Sequence, residues 1–279
     1  MLDRGVRLHV ERPTEGKGDP NFSFDLVREY LTSFDAVIAN LEGPVSDRGE
    51  RVGSIYSFRM NPDVIPALRN ANIRAVSIAN NHAWDYGRAA FEDTLQRFAA
   101  AGIGIFGGGM DEAAAYAPHV LTIRGTRVAL LGFTEFLPQV AARPDRSGIA
   151  FADPDKIREA IVRAREGNDV VIASFHMGEE YQMEPVARVR VLARAAIDAG
   201  ADLVVGHHPH VVGVFETYRG KEIYYSLGNF VFDQGFSTST MTAGYLEVTI
   251  EGGSIASSAL RVAPLTRSFQ PCVSEAFCE

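Results

Sequence analysis

Three imidazoles stand within four residues in Gly206-His207-His208-Pro209-His210, directly after the apolar run Leu203-Val204-Val205. Neutral imidazole is a good ligand for Zn, Mn or Fe. Pro209 has a fixed φ, and an extended loop built on it aims His208 and His210 at one point while His207 faces the other way. Surface loops are sometimes His-rich by chance, but three histidines straight after a buried strand are hard to explain as packing. The pattern recurs along the chain. Residues 170–175 run into His176, residues 75–79 into Asn80-Asn81-His82, residues 36–40 into Leu41-Glu42, and residues 223–227 into Gly228-Asn229. Five of the seven histidines sit at these ends. The carboxyl ends of strands are where α/β sheets bind ligands, so a chain that repeats Glu, Asn and His there reads as one building a metal site.

Each donor has a plain alternative. A lone histidine such as His176 is more often a hydrogen-bonded core residue, but beside the His208 cluster it reads as a ligand. Glu42, in Asn40-Leu41-Glu42-Gly43-Pro44, is an ordinary loop carboxylate when taken alone; with the other strand ends it suits a bridge between two cations. In Asn80-Asn81-His82-Ala83-Trp84-Asp85, an amide oxygen can complete a two-metal site, an imidazole can protonate a leaving group, and Asp85 can fix its tautomer. Turn and helix-start roles account for Asn80 and partly for Asp85; they do not account for His82. One of Glu179 and Glu180 is placed to orient a ligand imidazole, and Glu179 reads as a solvated loop residue. Asn229 and Asp233 read as structural. Arg59 suits either an anionic substrate or the surface.

Composition sets the frame. With 279 residues, 46% hydrophobic and 22% charged, the chain is long enough for a full-sized core. A net charge of -8 argues against nucleic acid as the partner, since phosphate-backbone binding wants a basic face. Of the 27 basic residues, 24 are Arg; genome bias explains this at least as well as a preference for anionic ligands. The two cysteines, Cys272 and Cys278, lie far from the histidines, so thiolate is not expected among the ligands. They read either as free tail thiols or as a small disulfide loop. No run of about 18 apolar residues is present, so no spanning helix is expected.

Helices are expected at 22–34, 63–70, 87–101, 155–165 and 185–199, set off by Pro and Gly signals. Strands alternate with them, which makes the class α/β. Hairpins are expected at 119–133, 212–226 and 245–262, each turning at a Gly, so the sheets are expected to be mixed. No linker divides the chain, and residues 1–279 read as a single domain with two packed sheets.

These same stretches resemble the CapA family of capsule-synthesis proteins, the PgsA-like group of poly-γ-glutamate biosynthesis, which is similar to the calcineurin-like metallophosphoesterases. The resemblance rests on Asn40-Leu41-Glu42-Gly43-Pro44, Ala79-Asn80-Asn81-His82 with Asp85-Tyr86-Gly87, Phe175-His176-Met177-Gly178-Glu179-Glu180-Tyr181, Gly200-Ala201-Asp202 through His208-Pro209-His210, and Tyr225-Ser226-Leu227-Gly228-Asn229-Phe230. It implies a four-layer α/β/β/α sandwich with two mixed β-sheets and a site for two divalent metal ions (Mn, Fe or Zn). Glu42 would take the place of the bridging acid and Asn81 that of the Asn in a Gly-Asn-His motif. His82 would match the general acid, His176 the lone ligand histidine, and His208 and His210 a Gly-His-x-His pair. The implied activity is metal-dependent hydrolysis of an anionic substrate, either a phosphoester or poly-γ-glutamate. The alternative it implies is a non-catalytic part in synthesis or export of the polymer, alongside membrane-bound capsule synthesis subunits at the cell envelope. One departure stands out. Both groups open with a strand ending in Gly-Asp, whose Asp ligates metal. Residues 1–6 look like the stretch just after such a Gly-Asp, so the first strand, its Asp and any secretion signal or anchor are expected upstream of Met1. Asp3 comes a few residues too late to replace that Asp.

Overall fold

Each apolar run that stops at a polar donor forms a strand, and the helices between them return the chain to the same edge. The computed structural model describes residues 1–52 and 55–273. In chain order the elements are α1 (Arg4–Glu11), α2 (Arg28–Thr32), β1 (Val37–Asn40), α3 (Val64–Asn70), β2 (Ile73–Ser77), α4 (Gly87–Ala101), β3 (Gly104–Phe106), β4 (Gly108–Gly109), α5 (Glu112–Ala115), β5 (His119–Ile123) and β6 (Thr126–Thr134). They continue with β7 (Gly148–Ile149), α6 (Pro154–Arg165), β8 (Val170–His176), α7 (Ala187–Asp198), β9 (Leu203–His207), β10 (Phe215–Tyr218), β11 (Lys221–Tyr224), β12 (Thr242–Glu251) and β13 (Ser254–Pro264).

The result is a mixed α/β fold with several sheets. Strands β1-β2-β3 form a three-stranded sheet, parallel throughout. A six-stranded sheet runs β10-β11-β9-β8-β6-β5. Its inner pairs are parallel, and the hairpin partners β10 and β5 close the edges antiparallel. The larger sheet is thus mixed as expected, while the smaller one is not. Parallel pairing puts the carboxyl ends level. Asn40 lies opposite Ser77 in the first sheet, and Thr134, His176 and His207 stand side by side in the second.

The sheets meet backbone to backbone just before those ends. A Cβ on Gly107 would lie 2.7 Å from Ala79 Cβ and 3.0 Å from Gly132 Cα. Only glycine permits that approach, and it draws the two rows of strand ends together. Ala75 and Phe106 of the first sheet pack with Val128, Leu130 and Val170 of the second. The first sheet also packs against Leu68, Phe91 and Phe98 of α3 and α4, and the second against Ile157, Ile161 and Val189 of α6 and α7. Each fully buried aliphatic or aromatic side chain contributes about 1.5–3 kcal/mol.

Turn chemistry matches the expected hairpins. Arg124-Gly125, Arg219-Gly220 and Gly252-Gly253 all have positive φ at both residues, the type I′ requirement that Gly relieves. The helix expected at 22–34 is broken. A 3-10 turn at Pro20–Phe24, capped by Asp19, precedes α2, because Val27 leaves helical dihedrals (φ -129°, ψ -5°) while its side chain enters the core. Helix α1 lies where no helix was expected. Asp3 is buried beside it, accepting from Arg59 N at 2.8 Å and pairing with Arg7. Of the two cysteines, Cys278 lies outside the described residues, and with it the question of a tail disulfide.

Candidate metal centre

The first sheet delivers oxygen donors and one imidazole. Leu41 N donates to Ser77 O at 2.9 Å, which extends the β1 pairing up to Glu42. The loop beyond is pinned to α4, with Val45 N donating to Thr94 Oγ1 and Ser46 Oγ to Asp93 Oδ2. Glu42 is buried. Its Oε2 accepts from Asn40 Nδ2 at 3.2 Å, while its Oε1 has no hydrogen-bond partner. Asn80, fully buried, joins the strand ends: Nδ2 donates to Leu41 O and Oδ1 accepts from His82 N. That confirms the structural reading of Asn80. His82 Nδ1 lies 2.7 Å from Asp85 Oδ2, which also accepts from Phe58 N. The Phe58 ring lies against the imidazole, centroids 4.1 Å apart. These contacts leave His82 Nε2 facing Glu42 Oε1 at 3.9 Å.

The second sheet delivers imidazoles. His176, at the end of β8, places Nε2 2.7 Å from Asn81 Oδ1 and 3.2 Å from His208 Nδ1. His210 Nδ1 lies 2.9 Å from Asn229 Oδ1, and its Nε2 lies 3.7 Å from Glu42 Oε1. The two sheets therefore meet through Asn81 with His176 and through Glu42 with His210. The loop after β9 differs from the extended form expected around Pro209. His208 and His210 have φ of 103° and 58°, and this left-handed backbone turns both rings inward. Non-glycine residues adopt it at a cost of about 1–3 kcal/mol each, typically where function fixes the backbone. His207 remains in β9, level with His176.

Glu180, His208 and His210 each offer a ligand atom within 4.8 Å of the others, a group that can hold a metal ion. Protonation states suit that use. Burial holds His176 well below the usual imidazole range, reinforced by the neighbouring histidines. Burial likewise lowers His208. Both rings are therefore neutral at pH 7, the form that ligates. For Glu42, burial pushes the carboxyl up, but attraction to His210 and His82 outweighs it and leaves the group below its ordinary value. A buried carboxylate with one oxygen unpartnered is costly without a cation. The donor set thus fits a divalent metal.

Of three other residues, Asn229 differs from its sequence reading, Asp233 agrees with it and Arg59 resolves an open one. Asn229 orients His210, a site role that sequence reasoning weighed below a structural one; its place at a strand end was the available signal. Asp233 is structural, holding Gly5 N and Arg4 at the start of α1. Arg59 is engaged with the carbonyls of Arg48 and Gly49 and lies over the Tyr86 ring, so it is spent on the fold. A cleft of about 750 Å³ opens beside His208, lined in part by Phe136, Glu180, Tyr181 and Arg188.

Residues 1–234 match the family model for the bacterial capsule synthesis protein PGA_cap. The chain belongs to the PGA_cap family. Among its relatives, the PGA biosynthesis protein CapA of Bacillus subtilis is 37% identical over 239 residues, covering 84% of this chain and 63% of that one. The capsule biosynthesis protein CapA of Bacillus anthracis is 35% identical over 252 residues, covering 87% and 60%. The PGA_cap chain described here therefore spans about three fifths of the length of these curated relatives. A loose overlap with the sulfate thiohydrolase SoxB of Thermus thermophilus has a TM-score of 0.48 at 16% identity, covering 72% of this chain and 34% of that one.

Proposed function

We propose that this PGA_cap member is a metal-dependent hydrolase of phosphoesterase type, acting on an anionic substrate in capsule or poly-γ-glutamate biosynthesis. The observation that carries the reading is the run of contacts from Asn81 through His176 to His208 and from Glu42 to His210, beside a His82–Asp85 pair. Those five residues would hold two divalent ions, and His82 and Asp85 would be catalytic. The packing of both sheets on each other and on flanking helices supports a four-layer α/β/β/α sandwich in one domain over residues 1–279.

When bound, the cations supply Lewis acidity and a water of lowered pKa. The chain's own residues do the rest. Asp85 Oδ2 holds His82 at Nδ1, so His82 Nε2 faces the centre, where it can pass a proton to the leaving oxygen. Phe58 covers the imidazole and keeps water from that face. Asn229 fixes His210 so that Nε2 faces inward.

The relatives' names favour a second reading, a non-catalytic component of polymer synthesis or export that works with membrane-bound synthesis subunits. Among the described residues no helix is long and apolar enough to cross a membrane. Turnover of bis-p-nitrophenyl phosphate by the Mn²⁺-loaded chain, lost in His82→Ala, supports the hydrolase. Metal binding with no turnover of phosphodiester or poly-γ-glutamate supports the assembly component.

A further inference from the structure

We propose that Glu180 is a metal ligand of this centre, contributed from a loop outside both rows of strand ends. The inference rests on the reading that the centre holds a cation. It concerns a residue that neither the strand-end pattern nor the family resemblance assigns.

Glu179 and Glu180 are neighbours with different fates. Glu179 points along the surface, where its Oε1 accepts from Arg188 Nη2 at 2.8 Å and its side chain stays 54% exposed. Arg188 also holds Glu135 through two hydrogen bonds, so that ion pair is a surface network. Glu180 instead has a carboxylate oxygen grouped with ring nitrogens of His208 and His210.

The backbone enforces the difference. Gly178 N donates to Glu135 Oε1 at 2.7 Å, and Tyr181 N donates to Pro209 O at 2.8 Å. These two bonds stitch the loop down on either side of Glu180, the second of them to the residue between His208 and His210. Gly178 and Tyr181 both have positive φ, 109° and 64°. A left-handed tyrosine is a costly conformation, and here it lets the loop fold back over the histidine loop. The Tyr181 ring then lies 6.3 Å from that of His210 and edge-on to Phe236 at 5.2 Å.

Two imidazoles and one carboxylate are the donor set of an open site, one that keeps a position for water or substrate. Glu180 is exposed to the cleft beside His208, so it is the donor nearest the access path. Glu42, by contrast, is buried and reaches His210 through Oε1. The centre is then closed by a buried carboxylate on its inner side and by a solvent-facing one at its mouth.

The test is a Mn²⁺ titration of the metal-free full chain, followed by calorimetry and by the electron paramagnetic resonance signal of free Mn²⁺. Wild type, Glu180→Gln, Glu179→Gln and His208→Ala are compared. Glu180 is exposed, so its variant should fold, and unchanged melting of the metal-free protein checks this. Expected is a loss of affinity for one equivalent of at least the ~10–100-fold that losing an outer partner of a ligand costs, with Glu179→Gln within about twofold of wild type. The Co²⁺ form of Glu180→Gln should also show a shifted visible spectrum. Wild-type affinity in Glu180→Gln with loss in His208→Ala overturns the proposal and leaves the centre standing. Wild-type affinity in both variants overturns the centre as well.

Discussion

The two rows of strand ends that meet at the centre are held in place by different means. In the row of the three-stranded sheet, side chains do the holding. Asn40 holds Glu42, Asn80 ties Leu41 to His82, and Asp85 holds His82. In the row of the six-stranded sheet, the backbone does more of the holding. His208 and His210 sit at positive φ, with His208 Nδ1 against His176 Nε2 and His210 Nδ1 against Asn229 Oδ1. The oxygen side is therefore a network that one substitution can rearrange. The imidazole side is a strained loop that delivers its donors together or not at all. A centre built this way can tune proton transfer on one side without moving the ligands on the other.

The largest expected effect separates chemistry from ligation. His82→Ala should lower phosphodiester turnover by about 10²–10⁴-fold, the usual worth of a positioned acid, while metal content stays at the wild-type value. A fall in both would place His82 among the ligands and blur the two rows. Asn229→Ala should come next, weakening metal affinity by about 10–100-fold through a loosened His210, as read by competition with a chelating dye. No change would mean that the loop backbone alone orients the ring.

Strain gives a third test. In the metal-free protein, His208→Gly should cost less stability than His176→Gly by about 1–3 kcal/mol, since only the first relieves a left-handed residue. Urea melts of both variants read the difference, and equal losses would remove backbone strain from the account. The smallest effect on the centre is expected from the opposite end of the second sheet. Asp202 lies just before β9 and accepts from Arg165, Lys221 and Val171 N. Burial raises its pKa, and these partners outweigh burial and hold it below the ordinary value. The native carboxylate thus binds protons less readily than the unfolded one. Its stabilisation is present above the ordinary aspartate range and is lost as pH falls through and below that range. Asp202→Asn should cost about 1–3 kcal/mol at pH 7, less as the pH is lowered toward 3, and should leave metal affinity unchanged.

Sequence and structure agree where local chemistry decides. Each apolar run ending at Glu, Asn or His is a strand or its immediate continuation, because parallel pairing needs buried runs and leaves their carboxyl ends polar. Arg124-Gly125, Arg219-Gly220 and Gly252-Gly253 mark their hairpins through turn sterics alone. What escaped depends on distant contacts. Helix α1 has apolar Val6, Leu8 and Val10 at alternate positions, a strand-like spacing, and is made helical by docking Gly5 on Asp233, far along the chain. Residues 22–34 carry helical spacing in Phe24, Val27 and Leu31, but the pull of the core on Val27 breaks the helix. At the centre, the inward aim of His208 and His210 was legible, yet the positive φ that achieves it was not, since nothing in His-Pro-His announces a left-handed backbone. The site role of Asn229 and the separation of Glu180 from Glu179 also required the packed loops.

The most direct test is the metal content of the purified chain by plasma mass spectrometry, beside a His208→Ala/His210→Ala variant. The account predicts close to two equivalents of a transition metal in the wild type and their loss in the variant. A folded wild-type chain without bound metal, even after incubation with Mn²⁺, Fe²⁺ or Zn²⁺, would contradict it.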